Sequence, residues 1–336
     1  MPNLLRLSKK STVNLDSSEY ITLLQPIKNL YLSESSRSKC TPFYIETEQC
    51  GLLRPEIVKQ LVNYPDVFMK DTDETNREIV RLAPDLKTPL IRTEKANAVM
   101  EELRAKDVFC GLRGWRNENY DVKTKFSEPP LMCIERAAAD LLGVVHYGVH
   151  VNGYFYNDSG ELMMWIGRRS PNKPTYPNMM DNMCAGGLAS GLGVRECMMK
   201  ECAEEASVGD DDLKNLTAVG TVSYCYEDER GVFPECQFVF DLELTSDFVP
   251  VNADGEVGSF EAHPISKVQE LIVTNDFKPN CSLVILDFFI RHGIISPENG
   301  KCYGQNGGLG VNIHHDFRRY FPLSVMQKEG LTRTAA

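Results

Sequence analysis

Three glutamates, Glu201, Glu204 and Glu205, recur at the spacing i, i+3 and i+4. On a helix over residues 195–206, wound at about 100° per residue, they fall within an arc of about 100°. Met198, Met199, Cys202, Ala203 and Ala206 are expected on the opposite, packed side. Like charges so spaced repel and weaken a helix by roughly a few tenths of a kcal/mol per pair. An acidic cluster of this kind is ordinarily a solvated face. Its surroundings argue for more. Gly186, Gly187, Gly191 and Gly193 let the preceding loop bend closely around a small ligand, and Arg168, Arg169 and Lys173 stand just upstream. Hard oxygen donors at this spacing suit Mg²⁺, which takes a few carboxylates and completes its shell with water and substrate phosphates.

Charge and composition narrow the partners. The formal charge of −11 over 336 residues argues against a nucleic-acid groove, because gripping a polyphosphate strand relies on clustered Lys and Arg. A small anionic ligand remains compatible, since a divalent cation and a few placed basic residues reverse the local field. The longest apolar stretch, residues 282–290, is interrupted by Asp287 and is too short to span a bilayer; no membrane segment is expected. The eleven cysteines form no CxxC pair, their number is odd, and Cys202, Cys225, Cys236 and Cys281 sit inside apolar runs. They read as reduced thiols packed as small hydrophobes in a reducing compartment. Arg6, Lys9 and Lys10, with no acid nearby, faintly resemble an organelle transit segment. A frayed terminus of a cytoplasmic protein is the preferred reading, with a mitochondrial location as the alternative.

The elements that must position the glutamates follow from periodicity. Residues 1–38 are expected to be mobile, ending in the polar run SESSRSK. Helices are predicted over 51–68, where Pro55 lies near the first turn and Ile57, Val58, Leu61 and Val62 form a stripe, and over 93–106 and 130–142. Between the last two lies the loop-rich GLRGWRNENYDV, with Trp115 and Tyr120. The texture then changes. Residues 149–155 alternate as a strand, 157–160 turn, and 162–167 return. A second pair, 217–226 and 237–244, is joined by the loop EDERG, and helices over 265–273 and 283–291 close the run. Interleaved in this way, the elements predict an α/β (α+β) fold, a mixed sheet packed between helices.

Residues 186–208, GGLASGLGVRECMMKECAEEASV, resemble the Nudix box, Gx5Ex7REUxEExGU with U aliphatic. Gly186 matches the opening glycine, Glu201 the glutamate of the RE pair, Glu204 and Glu205 the EE pair, and Val208 the closing position. Leu192 stands where the first glutamate is expected, Lys200 replaces Arg, and Ser207 replaces Gly. Lys200 can still pair with a neighbouring carboxylate, without the Arg fork. Further segments, HVNGY, Arg168-Arg169-Ser170, TYPNMMDNMCAGG, DGEV, FKPN and LDFFIRHG, resemble the eukaryotic thiamine-diphosphate type of Nudix hydrolase, the module found fused to thiamine pyrophosphokinase. GLRGWRNENY and ERAAADLLGV resemble that subfamily's own N-terminal domain. Asn178 stands where the subfamily has Gly, and Asn tolerates left-handed angles. A kinase activity is not expected, since the chain ends soon after the Nudix portion.

The resemblance implies a Nudix α/β/α sandwich over 144–303, preceded by a smaller α/β domain over 39–143 and followed by a tail over 304–336. It implies a Mg²⁺ site, with Mn²⁺ as an alternative, held by Glu201, Glu204 and Glu205. It implies cleavage of thiamine diphosphate or its oxo and oxy analogues to the monophosphate and phosphate, a housecleaning role. Arg169 is the expected phosphate contact, with Lys173 and Arg168 as further cations. Gly186 and Gly187 shape the loop. Glu205 or Glu256 is the expected base, with Glu227 and Glu229 as competitors. Trp115, Tyr120 and Tyr176 are candidates to meet the heterocycle. His146 and His150, on the polar side of a strand, read as structural. Two other readings stand beside this one: a Nudix hydrolase of nucleoside diphosphate derivatives such as ADP-ribose, and a non-catalytic thiamine-diphosphate-binding module.

Overall fold

The computed structural model of the protein describes residues 33–295. Nearly all of the expected mobile segment 1–38 and the tail 304–336 lie outside the described residues, as does the pair His314-His315, which with no cysteine partners nearby reads from the sequence as simply exposed. Glu34–Arg37 form a single helical turn, α1.

The chain begins with a four-stranded sheet built from β1 (Thr41–Ile45), β2 (Glu48–Leu53), β3 (Phe68–Thr72) and β4 (Glu78–Leu82), in the order β2-β1-β4-β3. β1 and β4 run parallel, and the other pairs are antiparallel. Residues 51–68 do not form one helix. Cys50, Gly51, Leu52 and Leu53 are claimed by β2, and α2 spans only Pro55–Leu61. Pro55 opens it, where a missing N–H costs nothing. Helix α3 (Pro89–Ala105) starts before the expected Thr93, because Thr88 caps it by accepting the Ile91 N–H at 3.3 Å.

After a 3-10 turn (Cys110–Gly114) come the hairpin strands β5 (Asn119–Val122) and β6 (Met132–Glu135), then α4 (Arg136–Leu142). The helix expected over 130–142 is therefore half strand. Met132 and Ile134 alternate inward with period 2 and pair with β5 instead. The first core gathers Phe43, Leu53, Phe68, Met100 and Leu142 between this sheet and its helices.

The second sheet follows the order β11-β12-β7-β8-β13. Its strands are β7 (His146–Tyr156), β8 (Leu162–Arg169), β11 (Leu216–Asp228), β12 (Gly231–Glu243) and β13 (Val257–Pro264). Short β9 (Met180–Asp181) joins β8, and β10 (Cys184–Gly187) joins β7. Only the β7–β12 pairing is parallel, so the sheet is mixed as predicted. One face packs on α5 (Val194–Ala206), through Val149, Val151, Phe240 and Leu242 against Cys197, Met198 and Cys202. The other face packs on α6 (Ile265–Leu271) and α7 (Pro279–Arg291), through Ile166, Val222 and Val239 against Phe288 and Phe289. The result is a helix–sheet–helix sandwich. With both faces covered, the polar positions of β7 do not meet solvent: His150 and Asn152 are buried.

Two local expectations change. The loop EDERG contracts to a turn at 229–230, and β11 and β12 extend through the polar residues flanking it. The packed face of α5 is Cys197, Met198, Cys202, Glu205 and Ala206, whereas Ala203 is exposed. Seven residues along a helix advance to within about 20° of the starting direction, so Met198 and Glu205 share one side. Glu205 is consequently packed inward. Ser207, where the motif has Gly, ends α5 in the left-handed conformation (φ 53°), and Asn178 likewise takes φ 61°.

Helix α7 seats the α6–α7 face through Phe289, which is fully buried. Phe289→Ala is expected to destabilise the fold by about 3–5 kcal/mol, read as a lower urea midpoint with little change in slope.

Candidate active site

β7, β10, β12 and α5 open onto a cavity of about 700 Å³. At one end the loop after β10 turns into α5. Within β10 itself glycine is required by contact: a Cβ on Gly186 would lie 2.2 Å from the Glu201 carboxyl carbon. Glu201, Glu204 and Glu256 line this end. Burial raises the Glu201 pKa, and the charges of Glu204 and Glu256 add to the rise while Lys200 opposes it. Lys200 donates to Glu204 at 2.8 Å and reaches Glu201 at 3.4 Å, doing electrostatically what the motif's Arg would do.

Glu205 lies behind this wall. It is 6% exposed, is absent from the cavity lining, and accepts the Ala185 N–H at 2.8 Å. Burial pushes its carboxyl up to about 8; the Ala185 bond works against this, and the charges of Asp181 and Glu201 add to it. Glu256 behaves oppositely. Burial would raise it, but its bond to Lys173 and the charges of Lys173, Arg116 and Arg169 hold it below the usual carboxylate range. Glu227 and Glu229 do not reach the cavity. Mutually repelling hard-oxygen donors at a cavity wall are a set that a divalent cation would relieve, and the residues fit one.

The expected phosphate contacts divide. Arg169 lines the cavity, but its donors are engaged: Nε to the Tyr176 carbonyl (3.0 Å), Nη2 to the Thr175 carbonyl (3.0 Å), and Nη1 to Asp181 (2.8 Å). Lys173 is on the wall, paired with Glu256. Arg168 is off the wall, held by Asp276 at 3.1 Å and by the Asn178 carbonyl at 2.6 Å.

Among the described residues, His150, Asp181 and Cys281 form the only set of three potential ligands whose donor atoms lie within 4.8 Å of one another. Cys281 donates to Asp181 at 2.6 Å, and Lys278 reaches the same carboxylate at 3.4 Å. Burial disfavours the Asp181 charge, yet the Lys278 and Arg169 charges hold its carboxyl well below the usual range. Two cations already match this acid, so the set is a structural junction. Burial brings His150 down to about 4 and His146 down to about 3, so both rings are neutral at pH 7.

The far end of the cavity is aromatic with a polar edge. Tyr226 lies parallel on Phe233, 4.5 Å between centroids and 9° between planes, and the Arg230 guanidinium covers Phe233 at 4.5 Å. Beside this stack Glu235 accepts from Tyr224 and from Gln237 (2.6 Å). Tyr120 and Tyr176 line the cavity as expected candidates, whereas Trp115 does not; it packs on the N-terminal core under Arg104. Sequence reasoning missed Tyr226, Phe233, Glu235, Gln237, Arg116 and Arg136. Glu235 and Gln237 carried a signal, as polar residues inside an otherwise apolar strand.

Glu205 gives a pH prediction. Its folded carboxyl sits near 8 against an ordinary 4.5, so the folded chain holds a proton that the unfolded chain loses in between. The stability from this group is whole below about 4.5 and is lost as pH rises through 8. Without divalent cation, native stability should fall across that window by an amount on the order of a few kcal/mol. Urea titrations of Glu205→Gln should be flatter over the same range.

A model of a domain of unknown function (DUF4743) matches residues 20–146, and the NUDIX domain model matches residues 146–280. Nudix hydrolase 24, chloroplastic, of Arabidopsis thaliana is 39% identical over 293 residues, covering 87% of this chain and 78% of that relative. Nudix hydrolase 20, chloroplastic, of the same plant is 38% identical, covering 84% and 76%. An uncharacterized protein of Saccharomyces cerevisiae is 40% identical, covering 74% and 77%. With its glutamate helix, glycine loop and sandwich fold, the chain belongs to the Nudix hydrolases, enzymes that act on phosphoric anhydrides and generally use divalent cations such as Mg²⁺.

Proposed function

We propose that the protein cleaves the diphosphate of thiamine diphosphate or its oxidised oxo and oxy analogues, releasing phosphate and the monophosphate. The observation that carries this reading is the two-ended cavity. A carboxylate-lined end suits a diphosphate with its cation. The opposite end offers a flat Tyr226–Phe233 stack and the polar edge of Glu235 and Gln237. Such a wall favours a planar heterocycle with hydrogen-bonding groups on its rim.

Glu201 and Glu204, backed by Glu205, are the residues that would hold Mg²⁺ or Mn²⁺. Bound there, the cation supplies positive charge against the phosphoryl oxygens and acidifies the attacking water. Glu256 faces the same end of the cavity and is the carboxylate assigned to take the water's proton. Lys173 keeps Glu256 anionic and fixes its position. Lys200 gathers Glu201 and Glu204, and Arg169 braces the wall by tying residues 175 and 176 to Asp181.

A chromatographic screen for diphosphate cleavage with Mg²⁺ over thiamine diphosphate, its oxo and oxy analogues and ADP-ribose tests the reading, with the monophosphate ester products quantified in each case. Turnover of the thiamine compounds should exceed that of ADP-ribose and vanish with EDTA. Faster turnover of ADP-ribose would move the substrate to the nucleoside diphosphate class, and ligand binding without cleavage would mark a regulatory module. Glu256→Gln should lower kcat by roughly 10²–10⁴-fold.

A further inference from the structure

A diphosphate ester carries several negative charges, so its site needs cations beyond those that neutralise the protein's own acids. Most basic residues on the cavity wall are already matched. Arg169 and Lys278 serve Asp181, Lys173 serves Glu256, and Lys200 serves Glu204. Arg230 pairs with Asp228, and Arg113 holds Asp107 through two bonds of 2.7 and 2.9 Å. Two arginines differ. The Arg116 side chain lines the cavity, is exposed, and makes no ion pair or hydrogen bond among the described residues. Its charge nonetheless reaches Glu256. Arg136 gives one bond to Glu118 (3.0 Å), lies over the Tyr120 ring at 5.2 Å, and feels the charge of Glu201. Most of its guanidinium fork is uncommitted.

Both residues come from the part of the chain that precedes β7, and that part is docked on the catalytic loop. A Cβ on Gly187 would lie 2.1 Å from the Tyr120 hydroxyl and 3.2 Å from the Arg136 guanidinium carbon. The adjacent Gly186 is the residue against which the Glu201 carboxyl rests. Arg136 and Glu201 thus flank two consecutive glycines. The Ser190 N–H donates to the Asn119 carbonyl at 2.8 Å, and Cys133 meets Ser190 at 3.3 Å, tying the same loop to β5 and β6.

We propose that the N-terminal domain forms the anion-binding wall of the active site, with Arg116 and Arg136 as the cations that grip the substrate diphosphate. The assignment rests on reading the site as a diphosphate hydrolase. A guanidinium presents a planar fork that matches two phosphoryl oxygens, which an ammonium cannot do. The β/α sandwich then supplies the acids for the metal, and the preceding domain supplies the counter-charge for the substrate.

The test uses the full chain. Inorganic diphosphate binding is measured by calorimetry with Mg²⁺ for the native protein, Arg116→Gln, Arg136→Gln, Arg136→Lys and the exposed control Lys267→Gln. Each Gln variant should weaken binding roughly ten- to hundredfold. Arg136→Lys should recover only part of the loss, and the control should match native. KM for the diphosphate substrate should rise in parallel. Native-like binding by both Gln variants overturns the proposal. Should Arg136→Gln fail to fold, Arg116→Gln decides, since that side chain makes no ion pair or hydrogen bond among the described residues. A native protein that binds inorganic diphosphate through these arginines yet hydrolyses no diphosphate would sink the functional reading while leaving this wall intact.

Discussion

Like charge gathered at one partly buried wall is the constraint on which the rest of the structure turns. Glu201, Glu204 and Glu256 line one end of the cavity, Glu205 lies buried behind them, and Asp181 lies close enough to raise Glu205 further. Ionised carboxylates so placed cost free energy unless countered. Each is countered differently. Lys200 lies between Glu201 and Glu204, Lys173 takes Glu256, and Arg169 with Lys278 takes Asp181. Glu205 has only a backbone N–H, and its carboxyl rises accordingly. That imbalance is one that a divalent cation would relieve.

The same constraint explains the two-part chain. A sandwich that spends its basic residues on its own acids has few left to receive an anion. The preceding domain approaches the end of β10 closely enough to exclude a side chain at Gly187 and brings Arg116 and Arg136 to the cavity. At the far end, the parallel Tyr226–Phe233 pair and the Glu235–Gln237 edge arise from one long hairpin, β11–β12, whose strands run unbroken past the cavity.

Much of this was legible in the residues. The period of Glu201, Glu204 and Glu205 located α5, the glycines located its loop, and Glu256 was singled out from its motif context. The interleaving of strands and helices announced a mixed sheet between helices. Where reading failed, competition between periods was responsible. Residues 50–53 and 132–135 could extend a neighbouring helix or pair in a sheet, and partners distant in sequence drew them into strands. The EDERG region looked like a loop because it is polar and contains glycine, yet all but a two-residue turn of it is drawn into the β11–β12 pairing.

What the sequence by itself determined is the chemistry on offer: three acids on one helix, a glycine-rich loop before it, and a supply of cations nearby. Tertiary structure alone decided how each was used. It buried Glu205 behind Ala185, because a helix that packs through Met198 and Cys202 must turn that position inward. It engaged Arg169 with Asp181 and two carbonyls, and it carried Arg168 and Trp115 away from the cavity. It brought Arg136 within electrostatic reach of Glu201 across 65 positions of chain (201 minus 136). Spacing along one element fixes which side chains share a face, but the partners that set their charge and exposure come from elements distant in sequence.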